Sequence, residues 1–291
     1  MCSLPVSLHS ALWVHRWGED LIPHIARAAE LGYDGVEVSL LGLADSGGSE
    51  LRQVAQDLGI ALKCTTGLAV HQDITSTDAS VRRQGRDSLL RAADLVATIG
   101  SDLLTGVIYA PWGVMGSPQT RPDRQQRSAD MLAQVAPHFF DRGITLGVEA
   151  VNRFETDLVN TSEEALAFVE LVGAPNIGVH LDTFHMNIEE TDIVSAVRHA
   201  SRRLTHVHVC GPNRGIPTPG RFPYPELFSE LAQVGYMGWI GLEMFVQSGT
   251  SVSPDLRIWR QIETSPTEAA KQAKELVHSW MQQANETKPN D

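Results

Sequence analysis

Four short apolar segments each deliver one side chain able to bind a cation at or near their ends: Glu149 in ITLGVEAV, Asp182 in IGVHLDTF, His208 in LTHVHV and Glu243 in WIGLEMF. An ionised carboxylate at the end of a buried strand is unfavourable unless positive charge meets it. Gathered at one point, three carboxylates and one imidazole would force protonation of at least one acid, unless a cation sat among them. An oxygen-rich set with one nitrogen suits Mn²⁺, Co²⁺ or Mg²⁺ better than a thiolate-seeking ion. Two acids flanking a substrate can also remove and return a proton, so these residue types point to metal-assisted acid–base chemistry. A single strand-end acid is more often a helix cap or half of an ion pair; the convergence of four carries the reading.

The convergence depends on strand parity. If side chains alternate, Ile144, Leu146 and Val148 share one face while Thr145, Gly147 and Glu149 share the other. The same alternation sets Ile177, Val179 and Leu181 against Gly178, His180 and Asp182. It likewise sets Thr205, Val207 and Val209 against His206 and His208, and Ile240 and Leu242 against Gly241 and Glu243. Four further strand candidates precede these: PVSLHSA, GVEVSL, ALKCTTGL and LLTGVIYA. Helix-period runs such as LIPHIARAAELG and SADMLAQVAPHFFDRG separate the strands, and Gly32, Gly59, Gly100, Gly143, Gly173 and Gly235 stand where helices should stop. Thr161 with Glu164 forms a capping-box pattern, and Ser253-Pro254 marks another expected helix start. Eight strand–helix units predict an α/β protein, a single (β/α)8 TIM barrel over residues 1–291, with the four residues at its C-terminal mouth. An extra C-terminal helix is expected at about 266–284 with a frayed tail at 285–291; it either covers the barrel or joins subunits.

Composition narrows the function classes. The 291 residues are 42% hydrophobic and 20% charged, with a formal net charge of −12, so the field disfavours nucleic acid. The Arg82-Arg83 and Arg202-Arg203 pairs and the Arg121, Arg124, Arg127 series read as solvated helix faces among acids. Cys2, Cys64 and Cys210 are too few and scattered for a disulfide framework. No apolar run reaches membrane-spanning length, and the chain reads as soluble and cytoplasmic. No glycine-rich phosphate loop follows the first strand.

The segments EAVNRFETDLVNT, HLDTFHMNIEE, HVHVCGPNRG and GLEMF resemble the ketose 3-epimerases of the D-tagatose and D-psicose (allulose) type, within the xylose-isomerase-like barrels. The resemblance spans nearly the whole chain and is densest from Leu146 to Phe245. It implies that Glu149, Asp182, His208 and Glu243 are metal ligands, most often for Mn²⁺, and that Glu155, His185 and Arg214 contact a sugar. It implies a metal-dependent inversion at C3 of a free ketose through a metal-stabilised enediolate, with Glu149 and Glu243 as the catalytic pair. The partner expected is a small-molecule sugar, without nucleic acid or membrane, in a homodimer or homotetramer.

Trp112 and Phe245 are the aromatics best placed after barrel strands to line the pocket, ahead of Trp13 and Trp17. His180 and His206 face inward below the ligand level and read as hydrogen-bonded core histidines. His9 is a lone histidine near the end of the first strand. The chain departs from the family at Cys210-Gly211, where relatives often carry Gly-Glu. That loss leaves open a related isomerase, epimerase or lyase acting on a keto-acid, keto-inositol or oxidised glycoside. A barrel nuclease would want more ligating histidines and a basic groove, and mere sugar binding would not need two acids beside a metal.

Overall fold

The computed structural model describes residues 4–44 and 47–286. Eight parallel strands close into a barrel in chain order: β1 (Val6–His9), β2 (Gly35–Ser39), β3 (Ala61–Leu68), β4 (Leu103–Pro111), β5 (Thr145–Glu149), β6 (Ile177–Asp182), β7 (Leu204–Val209) and β8 (Trp239–Leu242). Around them run α1 (Ile22–Glu30), α2 (Gly48–Leu58), α3 (Ala79–Ile99), α4 (Arg121–Phe140), α5 (Ser162–Val172), α6 (Thr183–Glu189), α7 (Ile193–Ala200), α8 (Tyr224–Gln233) and α9 (Pro266–Glu286). This is a (β/α)8 TIM barrel with an additional C-terminal helix. Cys2 and residues 287–291 of the tail lie outside the described residues.

The apolar half of each strand explains the helical ring. Leu146, Val148, Val179, Leu181, Val207, Ile240 and Leu242 are fully buried in the main core. Such a strand side chain contributes about 1.5–3 kcal/mol when removed from water. α5 starts where Thr161 Oγ1 accepts the Glu164 N–H at 3.2 Å and stops at Gly173, whose φ of 70° suits glycine. α9 covers the barrel by packing on α8, with Trp280 stacked on Tyr224 at 4.6 Å.

Three local expectations are corrected. A register shift between Val179 and His180 pairs Val179 with Leu204 and His180 with His206. Thr205 is the extra residue, and its side chain sits on the axial side against Gly147 and Gly178 rather than outward. The segment around Ser253-Pro254 forms turns rather than a helix. The α4 arginines are not a solvated face. Arg124 is buried and reaches both Asp157 carboxylate oxygens at 2.6 Å, Arg121 pairs with Glu164, and Arg127 donates to the Thr75 carbonyl at 2.6 Å. These bonds tie α4 to the loops on the C-terminal side of β3 and β5, which frame the mouth.

Candidate active site

Glu149 and Asp182 are the last residues of β5 and β6, His208 is next to last in β7, and Glu243 directly follows β8. Neighbouring strands are staggered, so these positions meet at one level, with one ligand atom from each residue within 4.8 Å of the others. All four are buried, at 7% exposure or less. Asp182 also caps α6, accepting the Phe184 N–H at 2.8 Å. That bond fixes the carboxylate's rotation.

The loop after β7 brings a guanidinium to the same point. Gly211 donates its N–H to the Gly215 carbonyl and accepts the N–H of Arg214, each at 2.8 Å, and Arg214 takes a left-handed φ of 65°. A Cβ at Gly211 would lie 2.6 Å from the Ile216 carbonyl oxygen, so this tight loop leaves no room for the glutamate that the family resemblance would imply there. Arg214 Nη1 donates to Asp182 Oδ2 at 2.6 Å and Glu243 Oε2 at 2.8 Å, and its guanidinium lies 3.9 Å from the Phe184 ring centre and 4.9 Å from that of Phe245. The sequence places Arg214 on substrate; in the structure its guanidinium faces the cleft while donating to two of the carboxylates.

Titration follows these neighbours. Burial, then the charge of Glu243, pushes the Glu149 carboxyl well above its ordinary range. For Glu243 burial acts in the same direction, but His208 and Arg214 outweigh it and hold the carboxyl well below that range. Burial, partly offset by Arg214, pushes Asp182 up to about 6. Burial would lower His208, yet the carboxylates of Glu243 and Glu37 hold it well above an ordinary imidazole. The same surroundings thus push the two carboxyls in opposite directions, Glu149 up and Glu243 down, as acid and base roles require.

The residues present fit a divalent cation. His208 Nδ1 is buried, lies 3.5 Å from Glu243 Oε1 and has no hydrogen-bond partner among the described residues. Its other nitrogen is held by Glu37, the arrangement usual for a metal-binding imidazole. With three carboxylates around it, the set offers hard oxygens plus one nitrogen, and so could hold Mn²⁺, Co²⁺ or Mg²⁺.

A cleft of about 620 Å³ opens over this cluster. Glu149, Glu155, His185, Arg214 and Glu243 face it, with Trp112 and Phe245 in its walls, so every expected sugar-contact residue reaches one space. Asp182 and His208 lie behind that wall. Asn152 organises the β5 side: its Nδ2 donates to Glu155 Oε1 and approaches His185 Nδ1, both at 2.8 Å, while Trp112 Nε1 donates to Glu155 Oε2 at 2.7 Å. Trp17 and His9 also line the cleft, whereas Trp13 is core, stacked on His24.

Comparison with known proteins decides the family. Residues 25–282 match the xylose isomerase-like TIM barrel family. The D-psicose 3-epimerase of Agrobacterium fabrum is 33% identical over 259 residues, 88% of this chain and 90% of that protein. The L-ribulose 3-epimerase of Mesorhizobium japonicum is 34% identical over 275 residues, 94% of this chain and 92% of that one. The chain belongs to the ketose 3-epimerase family. It is a carbohydrate epimerase, and a crystal structure of a D-psicose 3-epimerase in the presence of D-fructose superimposes with a TM-score of 0.91 at 31% identity, covering 96% of this chain and 99% of that one.

One residue of the epimerase's interior escaped the sequence reading. Glu37, in the middle of β2, is fully buried and touches Ser7, His206 and His208. The signal was present: in GVEVS the valines alternate with Gly35, Glu37 and Ser39, the parity that located Glu149. His180 and His206 sit in the core as expected, with His180 Nδ1 2.6 Å from Thr105 Oγ1. Cys210 is fully buried, its sulfur 3.9 Å from Asp182 Oδ1, and burial pushes the thiol well above its ordinary range.

Proposed function

We propose that this protein inverts C3 of a free ketose and depends on a divalent cation held by Glu149, Asp182, His208 and Glu243. One observation carries the reading: two carboxylates from opposite ends of a four-strand arc, with an aspartate and an imidazole nitrogen that makes no hydrogen bond among the described residues, meet beneath one cleft. The cation, with Mn²⁺ preferred and Co²⁺ or Mg²⁺ as alternatives, supplies Lewis-acid stabilisation of the charge that develops on the substrate oxygens. Glu149 and Glu243 move the proton: one carboxylate takes it from C3, and the other carboxyl returns one to the opposite face. His185, Glu155 and Arg214 hold the sugar's oxygens, while Trp112 and Phe245 form walls that exclude water and orient the ring or chain. Chelation should abolish turnover and Mn²⁺ should restore it. The loaded protein should also melt higher, since a cation at about 100 times its Kd adds about 2.7 kcal/mol to the folded state. Full activity of rigorously metal-free protein would refute the reading. The enzyme is read as a cytoplasmic homodimer or homotetramer, which light scattering on the purified chain checks.

A second reading is a keto-acid, keto-inositol or oxidised glycoside as substrate, turned over by isomerisation, epimerisation or elimination. It is favoured by an adjoining cleft of about 610 Å³ that shares Trp112, Glu155, Arg214 and Phe245 with the first. Arg257, Trp259 and Arg260 reach into that cleft, where a substituent larger than a simple ketose would extend.

A further inference from the structure

We propose that Glu37 is a positioning residue that keeps a proton on His208 Nε2, so that Nδ1 is the nitrogen His208 offers to the cation; this rests on the metal-dependent reading above. Glu37 stands in the barrel's interior layer at 0% exposure, too deep to meet substrate. Its Oε2 lies 2.6 Å from His208 Nε2, and its Oε1 lies 3.1 Å from His206 Nε2 and accepts from Ser7 Oγ. An ionised carboxylate only accepts hydrogen bonds, so both imidazoles must turn an Nε2–H toward it. In a neutral imidazole with its Nε2–H on Glu37, Nδ1 carries the free lone pair, and Nδ1 is the atom on the side of Glu243.

The surrounding sequence makes room for this arrangement. Gly241 lies across from Glu37, and a Cβ there would come within 2.2 Å of Glu37 Oε1 and 2.6 Å of His208 Cδ2. A side chain at Gly241 would therefore force the Glu37 carboxylate or the His208 ring to shift. A purely structural filling of this layer would be made better by an apolar side chain, which avoids the desolvation that a buried carboxylate suffers. A carboxylate aimed at two imidazole nitrogens, one of them on a residue of the cation cluster, is instead explained by control of the tautomer.

The test is nitrogen-15 NMR of histidine-labelled protein, first metal-free and then with saturating Mg²⁺, which is diamagnetic. In the wild type, His206 and His208 should each show a protected, downfield Nε2–H in both states, and His208 Nδ1 should be unprotonated with Mg²⁺ bound. Glu37→Gln keeps the shape but offers one oxygen to three donors, and its amide needs an acceptor, which favours a proton on His208 Nδ1. Its Mg²⁺ and Mn²⁺ affinities should fall about 10- to 100-fold by calorimetry. Ser7→Ala removes a donor to Glu37 and leaves His208 alone, so its affinity should stay within about twofold of wild type. Wild-type affinity in Glu37→Gln, or a metal-free wild type without an Nε2–H on His208, overturns the inference, and the wild-type spectra decide even if the variant does not fold. A wild type that shows both Nε2–H resonances yet takes up no cation overturns the metal reading while upholding the hydrogen bonds inferred for Glu37.

Discussion

At the scale of single residues the site is a problem of charge balance. Burial and the nearby Glu243 charge oppose ionisation of Glu149, and two carboxylates favour a proton on His208. A cation entering the cluster must displace those protons. Protons on Asp182 and Glu149 compete with the cation, so affinity should strengthen as pH rises through the Asp182 value of about 6 and on into the raised Glu149 range, with proton release that calorimetry in buffers of different ionisation enthalpy would count. Affinity that falls with pH would contradict this balance. The catalytic assignment is also decided residue by residue: Glu149→Gln and Glu243→Gln keep the shape but cannot carry the C3 proton. Each should lower kcat by about 10²- to 10⁴-fold with the circular dichroism of the fold preserved. These four positions were legible because the strand ends of ITLGVEAV, IGVHLDTF, LTHVHV and WIGLEMF carry polar residues in matching parity. Glu37 was legible by the same parity yet has no meaning until His208 is seen across the barrel from it, a contact between residues 171 positions apart.

At the scale of elements, strand alternation predicts facing except where pairing slips. The β6–β7 shift turns Thr205 to the axial side, and nothing in LTHVHV announces it, because the extra residue is defined by its partner strand. The accommodation is instead written in the neighbours: Gly147 and Gly178 leave the space that Thr105 and Thr205 occupy. A Cβ at Gly178 would stand 2.2 Å from Thr205 Cγ2 and 2.3 Å from the Arg203 carbonyl oxygen, a contact with backbone that cannot swing away. Gly178→Ala should therefore destabilise the protein by about 1–3 kcal/mol in urea titration and weaken cation binding, since the slip sets the level of His208. An unchanged midpoint would show that the strand pair adjusts freely. The loop from Gly211 to Arg214 has similar logic: its turn excludes a side chain at Gly211 and sends Arg214 inward, a pairing the sequence motif could not show.

At the scale of the whole molecule, the closed barrel makes a local pattern into a site. Parallel strands aligned in one order bring residues from β5 to β8 to one mouth, while α9 packs on α8. Fold class was legible from eight repeated strand–helix units; the second cleft was not, because the turns from Ser253 to Arg260 replace an expected helix start. Which substrate fills the joined clefts decides between the two functional readings, and proton exchange at a defined carbon reports it directly. The Mn²⁺-reconstituted protein would be incubated in D₂O with free ketopentoses and ketohexoses, their phosphates, keto-inositols and oxidised glycosides, quenched, freed of metal and followed by NMR. Deuterium should enter C3 of a free ketose with inversion there, because the proton returned by a carboxylic acid exchanges with solvent. Labelling at C1 with formation of an aldose, or labelling confined to keto-inositols or oxidised glycosides, would contradict inversion at C3 of a free ketose.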